Sequence, residues 1–169
     1  MKILGTERLI LREIETQDAA FLFELLNSPK FLKYIGDRGV RTVEDADEFI
    51  ESRYRESYRQ NGFGLYVVER SEGESVGICG FVKRGYLNHP DIGFAFLPEY
   101  EGKGYGFESA KALLEFGFRE LGFDVVYAIT SPENTASEKL LAKLGFRLEH
   151  PITTPEGDSV NLHSWRHTK

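Results

Sequence analysis

Cysteine is almost absent from the 169 residues: Cys79 stands alone. No intramolecular disulfide can form, so a reducing, cytoplasmic setting is the expectation. Long apolar runs are missing as well. None approaches ~18 residues, which excludes a membrane-spanning helix. Residues 1–8 reach charge too soon for a signal peptide. Neither a Pro/Ser-rich linker nor a low-complexity tract nor a fixed-period repeat divides the chain, so a single domain over 1–169 is expected. Basic residues are the minority charge: 21 Lys and Arg against 27 Asp and Glu leave a net charge of −6. That balance speaks against a nucleic-acid partner, and the missing apolar span against a membrane one. What the chain does hold is 41% hydrophobic residues, including 13 Phe and eight Tyr. Such a composition excludes disorder and suffices for one unaided core.

The spacing of apolar residues orders the elements. Residues 8–12 read as a first strand. Thr16 is placed to cap a helix in which Ala19, Leu22, Phe23 and Leu26 recur at helical spacing, and Asn27-Ser28-Pro29 ends it. Thr42 opens a second helix with Ala46, Phe49, Ile50, Arg53 and Tyr54 on one face. Its early acids and late arginines suit the helix dipole and read as a solvated face. From Phe63 the period falls to two. Residues 64–69 and 75–82 form a hairpin turning at 71–74, and 91–97 a further strand. A helix is expected over 105–121, with Ala110, Leu113, Leu114, Gly117 and Leu121 inward and Gly122 as its C-terminal glycine. Residues 124–130 are a strand and 134–144 a helix ended by Gly145. Residues 146–150 then pair with 160–165. The order β-α-α-β-β-β-α-β-α-β-β predicts a mixed α/β sheet with helices on both faces.

The most informative stretch is Glu101-Gly102-Lys103-Gly104-Tyr105-Gly106, between a strand and a helix. Alternating glycines let backbone N–H groups converge without Cβ obstruction. The helix start adds a partial positive charge, and together these make a pyrophosphate site. The alternative is an ordinary tight strand-to-helix turn. A Walker A loop would require Ser or Thr after Gly102-Lys103, where Gly104 stands. The dinucleotide fingerprint, counted from Gly104, would need glycine at Ser109 and a preceding strand that opens a βαβ unit. Acetyl-CoA is the third ligand class that uses such a loop.

Three stretches bear on that third class. One is Thr6-Glu7-Arg8-Leu9-Ile10-Leu11-Arg12. Another is Asp91-Ile92-Gly93-Phe94 followed by Glu99-Tyr100-Glu101-Gly102-Lys103-Gly104-Tyr105-Gly106. The last is Ser131-Pro132-Glu133-Asn134-Thr135-Ala136-Ser137, continuing to Gly145-Phe146. In this order they resemble the opening strand and the two cofactor motifs of the GNAT superfamily of N-acetyltransferases, in the branch of the ribosomal-protein N-terminal acetyltransferases. The resemblance covers almost the whole chain. It implies a mixed, mostly antiparallel twisted sheet, with acetyl-CoA as co-substrate and no metal. It also implies direct transfer of acetyl, in a ternary complex, to a primary amine on a small molecule or a protein N-terminus. A homodimer is a common assembly in the family.

By the same resemblance, backbone groups of Phe96 and Leu97 pair with the pantetheine arm like an added strand. The amides of Gly102, Lys103, Gly104, Tyr105, Gly106 and Phe107 receive the pyrophosphate, and Asn134 contacts the pantetheine. Ser137 stands as a cofactor contact or a general acid. Glu101 occupies a position that is often Gln or Arg in the family, with Lys103 as a candidate compensating cation. Leu141 falls where many relatives carry a tyrosine acid. A backbone N–H near Phe96 would steady the oxyanion. On the residues' own chemistry, Asn134 equally suits an N-cap and Ser137 a helix surface.

The acceptor must lose a proton, since a lysine amine titrates near ~10.4 and an α-amine near ~8. Asp91, Glu99 and His163 are the candidate bases. Asp91 also reads as a surface carboxylate at a strand start, and His163 as a hydrogen-bonded structural residue. Tyr34, Arg38 and residues 85–89 fall where acceptor sites lie in the family. His163 and His167, four apart in a strand, are too distant to share a metal. Cys79 reads as a small core residue. Two rivals come from other classes: a non-catalytic acyl-CoA-binding or sensor module, and a nucleotide-binding domain.

Overall fold

Alternating side chains in the middle of the chain put apolar groups on both faces of a sheet. In β3 (Leu65–Arg70), Tyr66 and Val68 join one core while Val67 joins a second. In β4 (Ser75–Val82), Cys79 and Phe81 follow the first and Ile78 the second. The computed structural model describes residues 1–168. Among these, β1 (Lys2–Gly5), β2 (Leu9–Glu13), β5 (Asp91–Phe96), β6 (Val125–Thr130), β7 (Arg147–Thr153) and β8 (Ser159–Arg166) complete an eight-stranded sheet of order β1-β2-β3-β4-β5-β6-β8-β7. Neighbours are antiparallel throughout except β5 and β6.

Helices cover both faces. On one, α5 (Tyr105–Leu121) and α6 (Thr135–Lys143) bury Leu113, Leu114 and Leu141 against Leu9, Leu11 and Phe81. On the other, α1 (Ala19–Leu26), α2 (Pro29–Tyr34) and α3 (Val43–Phe49) bury Leu22, Phe31 and Ala46 against Val67 and Ile78. Full burial of each such side chain stabilises the fold by about 1.5–3 kcal/mol, before the entropy of ordering is set against it.

Where local chemistry is strong, the expected elements stand. α5 spans the expected residues, and Gly122 follows it at φ +75°. The Thr42 hydroxyl accepts the Asp45 N–H at 3.0 Å. Four departures have physical reasons. β1 was not expected: its four residues show no clean alternation, and its order comes from edge pairing with β2, Leu4 against Leu11. Thr16 does not cap α1. It begins a 3-10 turn, Thr16–Asp18, and the Asp18 carboxylate accepts the Glu15 N–H at 2.8 Å while pairing with Arg12 at 2.7 Å. Pro29 does not merely end a helix but occupies the first turn of α2, where its missing N–H costs nothing. The helix that Thr42 opens runs on through a π-helical stretch, Ile50–Arg55, into α4 (Glu56–Asn61). Ala46, Ile50 and Tyr54 face inward, whereas Arg53 is exposed.

Candidate active site

β5 and β6 run parallel yet pair at a single position, Asp91 opposite Tyr127, with the Tyr127 N–H on the Pro90 carbonyl at 2.9 Å. Beyond it the strands separate into a wedge that widens toward Phe96 and Thr130. The Leu97 N–H donates to Val76 of β4 at 2.9 Å, and the Leu97 carbonyl accepts from Tyr100 at 3.0 Å. The Leu97 N–H is therefore engaged within the chain, while its carbonyl keeps a second lone pair. Alternation along β5 turns the backbone groups of Phe94 and Phe96 to the wedge.

The glycine loop lies at the open end. Gly102 and Gly104 hold φ of +75° and +84°, and Gly104 is the N-cap of α5. The N–H groups of the first turn of α5, from Tyr105 on, have no partners four residues earlier and carry the positive end of a 17-residue helix. A Cβ on Gly104 would stand 3.2 Å from Arg8 Nη2, and one on Gly106 would stand 3.1 Å from Leu140 of α6. Positive φ at Gly102 and Gly104 suits glycine, and at Gly104 and Gly106 an added Cβ would press on the ends of Arg8 and Leu140. Arg8 braces it: Nη1 donates to the Lys103 carbonyl at 3.0 Å and Nε to Glu108 at 2.7 Å, with the guanidinium 4.7 Å from the Tyr105 ring centre. Glu108 also accepts from the Thr6 hydroxyl (2.6 Å) and the Arg8 N–H (2.9 Å). Glu101 does not repel an anion unopposed. Lys30 of α2 reaches it at 3.3 Å, while Lys103 is exposed.

The model of the acetyltransferase (GNAT) domain matches residues 8–147. The chain belongs to this family. It is 35% identical to the uncharacterized N-acetyltransferase YnaD of Bacillus subtilis, over 86% of this chain and 83% of that one. It is 28% identical to the Escherichia coli spermidine N(1)-acetyltransferase, covering 82% and 73%, and 28% identical to the E. coli [ribosomal protein uS5]-alanine N-acetyltransferase, covering 86% and 78%. A crystal structure of a GNAT-family acetyltransferase from Bacillus anthracis superposes with a TM-score of 0.81 at 30% identity, covering 98% of each chain. The chain is thus an acetyl-CoA-dependent acyltransferase, with acetyl-CoA as co-substrate.

In this GNAT acetyltransferase the remaining candidates are not gathered at one point. Asn134 is the N-cap of α6, its Oδ1 accepting the Ser137 N–H at 3.2 Å. Its NH2 group makes no hydrogen bond among the described residues. Ser137 is half-buried in the next turn position, and Leu141 is fully buried in the core. Asp91 is no surface carboxylate. At 1% exposure it closes the narrow end of the wedge, roughly 16 Å along β5 from Phe96. Burial pushes its carboxyl up to about 6 even though Arg84 Nε donates to it at 2.8 Å. Glu99 is exposed on the 3-10 turn Pro98–Tyr100.

His163 lies under α6 rather than free in the wedge. Its Nε2 is 3.0 Å from the Thr130 hydroxyl, which donates to Glu138 at 3.1 Å, and Asn161 donates to the same carboxylate at 2.6 Å. Burial lowers the His163 pKa against the pull of Glu138. Cys79 is fully buried, its thiol pushed up to about 12 by desolvation. His167 stacks on Phe118 at 3.5 Å, away from His163's partners. Among the described residues no three His, Cys, Asp or Glu side chains gather as a metal site.

Arg8, Glu108, Lys30, Arg84 and Glu138 were not assigned from sequence. An acid in the first turn of a helix matches its dipole anyway, so Glu108 and Glu138 carried no separate signal. A shallow groove of about 560 Å³ also runs along the outer face of α5, past Phe107, Lys111 and Lys143. The two lysine ammonium groups lie 5.6 and 4.9 Å from the Phe107 ring centre.

Proposed function

We propose that this enzyme transfers acetyl directly from acetyl-CoA to a primary amine within a ternary complex. The observation that carries the reading is the wedge, open at the glycine loop and closed at a buried carboxylate. The amides of Gly102 through Phe107 hold the pyrophosphate, and the wedge-facing backbone of Phe94 and Phe96 pairs with the pantetheine arm. The Asn134 NH2 and Ser137 border the arm at the start of α6. Phe107, Lys111 and Lys143 receive the adenosine phosphate end in the groove along α5.

The co-substrate supplies an acetyl thioester: the amide C–N bond forms as the C–S bond breaks, and CoA leaves as the thiol, its sulfur taking the second proton of the attacking amine. Asp91 takes the proton that the amine must shed, through ordered water, because the carboxylate stands at the apex of the wedge. Its raised pKa brings it nearer neutrality than an exposed aspartate, which suits a base working near pH 7. The buried Cys79 thiol favours direct transfer over an acetyl-cysteine relay.

Thermal unfolding with acetyl-CoA, CoA, ATP and NAD in parallel tests the cofactor. A ligand at ~1,000 times its dissociation constant adds roughly 4 kcal/mol and raises Tm by several degrees. A shift with the CoA species alone is the expected result; a shift with ATP or NAD alone overturns the loop assignment. Initial rates with both substrates varied then test the order. Intersecting double-reciprocal lines support the ternary complex, and parallel lines overturn it. Binding without turnover of any amine would return the protein to the acyl-CoA sensor reading.

A further inference from the structure

Among the described residues, nine of the twelve arginines are ion-paired, leaving Arg38, Arg53 and Arg166. Two of these three stand over aromatic rings of one core. The Arg38 guanidinium lies 5.9 Å from the Phe31 ring centre, and that of Arg53 lies 5.3 Å from the Phe49 ring centre. Phe49 meets Tyr54 edge-on at 5.4 Å, and Phe31 and Tyr54 belong to the same core. Tyr54 is 7% exposed, and its hydroxyl makes no hydrogen bond among the described residues. Both arginine charges act on that hydroxyl, opposing the upward push of burial on its pKa.

The pair is not unpartnered for want of nearby carboxylates. Asp37, next to Arg38, bonds Arg41 instead at 2.6 and 2.9 Å. Glu51 bonds Arg55 and Arg59, and Glu56, one turn beyond Arg53, bonds Arg59. The cluster also has a defined place. Lys30 ties α2 to Glu101 of the glycine loop, and Leu97, just past β5, packs in the same core as Phe31 and Tyr54. It therefore stands on the α1–α3 face of the sheet, away from α5, with Phe31 beside the Lys30 that reaches the glycine loop.

We propose that Arg38 and Arg53, together with the Tyr54 hydroxyl, bind an anionic group on the acceptor, so that the substrate is an amine carrying a carboxylate or a phosphate. Two guanidinium forks and a hydroxyl donor form a complementary set for such an oxyanion, and a desolvated ring beneath them strengthens the contact. A polyamine would place cations against two uncompensated arginines. The inference deepens the acetyltransferase reading above and rests on it.

Matched amines test it by calorimetric titration into the CoA-saturated protein. O-phosphoethanolamine is set against ethanolamine, β-alanine against its amide, and spermidine is added as a polycation. The expected result is at least tenfold tighter binding of one anionic member over its neutral partner; which pair shows it separates phosphate from carboxylate. R38A and R53A should each abolish that preference while the thermal shift with acetyl-CoA persists, and R53K should retain part of it. Equal affinities, tighter binding of spermidine, no binding of any amine at millimolar concentration, or a preference unchanged in both variants overturns the proposal. Failure of CoA to bind the wild-type protein would instead remove the reading beneath it, and the thermal shift reports that separately.

Discussion

Arg8 Nε lies 2.7 Å from the Glu108 carboxylate, although a hundred residues separate them. The contact joins the turn before β2 to the first turns of α5, and the same guanidinium holds the Lys103 carbonyl. Arg8 is half-exposed, so the ion pair itself adds little stability. Its effect is on loop shape. R8A should raise KM for acetyl-CoA by roughly tenfold and leave kcat within about twofold, as expected for lost ground-state binding. R8K should not restore KM, because one ammonium cannot span both acceptors. Initial-rate kinetics decide it, and an unchanged KM would remove the bracing role.

Gly104 and Gly102 separate two costs of adding a methyl group. Both have left-handed φ, so alanine at either strains the backbone by about 1–2 kcal/mol. Only at Gly104 does the new Cβ also meet Arg8, at 3.2 Å; at Gly102 nothing lies within 4 Å. G104A should therefore lose the Tm shift with acetyl-CoA, while G102A keeps more than half of it. Equal shifts in the two variants would count against the cradle.

Asp91 gives a pH prediction in two readouts. Its folded pKa, about 6, exceeds the ordinary 3.8. The fold therefore favours the protonated carboxyl. That contribution to stability is complete below pH 3.8 and lost as pH rises through about 6. The Tm of D91N relative to wild type should climb between pH 4 and pH 7. In activity, the acidic limb of kcat/KM should follow an apparent pKa near 6, and D91N should erase that limb with a loss of ~10²-fold or more. A retained limb would pass the base role to another group.

Glu138 is the acceptor for both the Thr130 hydroxyl and the Asn161 amide. E138A leaves a buried hydroxyl and a half-buried amide without it, at a cost of about 1–3 kcal/mol. Differential scanning calorimetry should show Tm lower by roughly 3–8 °C. No change would mean that water replaces the carboxylate without penalty.

The parts legible in the sequence were those written in local chemistry. Apolar spacing placed α5, the Thr42 cap and the β7–β8 hairpin, and the glycines marked the loop. Asn134 remained open between two roles, and the structure gives its oxygen to the cap. What escaped depends on neighbours distant in the chain. β1 has no pattern of its own and exists through β2. Lys30 offsets Glu101 across 71 residues, a partner that no local reading supplies; the sequence offered Lys103, which is exposed. Asp91 stood open between a base and a surface carboxylate, because a lone acid at a strand start carries no local mark of burial. Its burial follows from sitting where two strands begin to part.

That parting has a mechanical consequence. The strands before α5 form a raft of five, and those after it a raft of three, with one rung of backbone contact between them. Along the rest of the seam, the amides of Phe94 and Phe96 face an edge with no strand to meet. Among the described residues the rung at Asp91 and Tyr127 is the one strand-to-strand pairing that ties the two rafts, so a substitution there loosens one raft against the other.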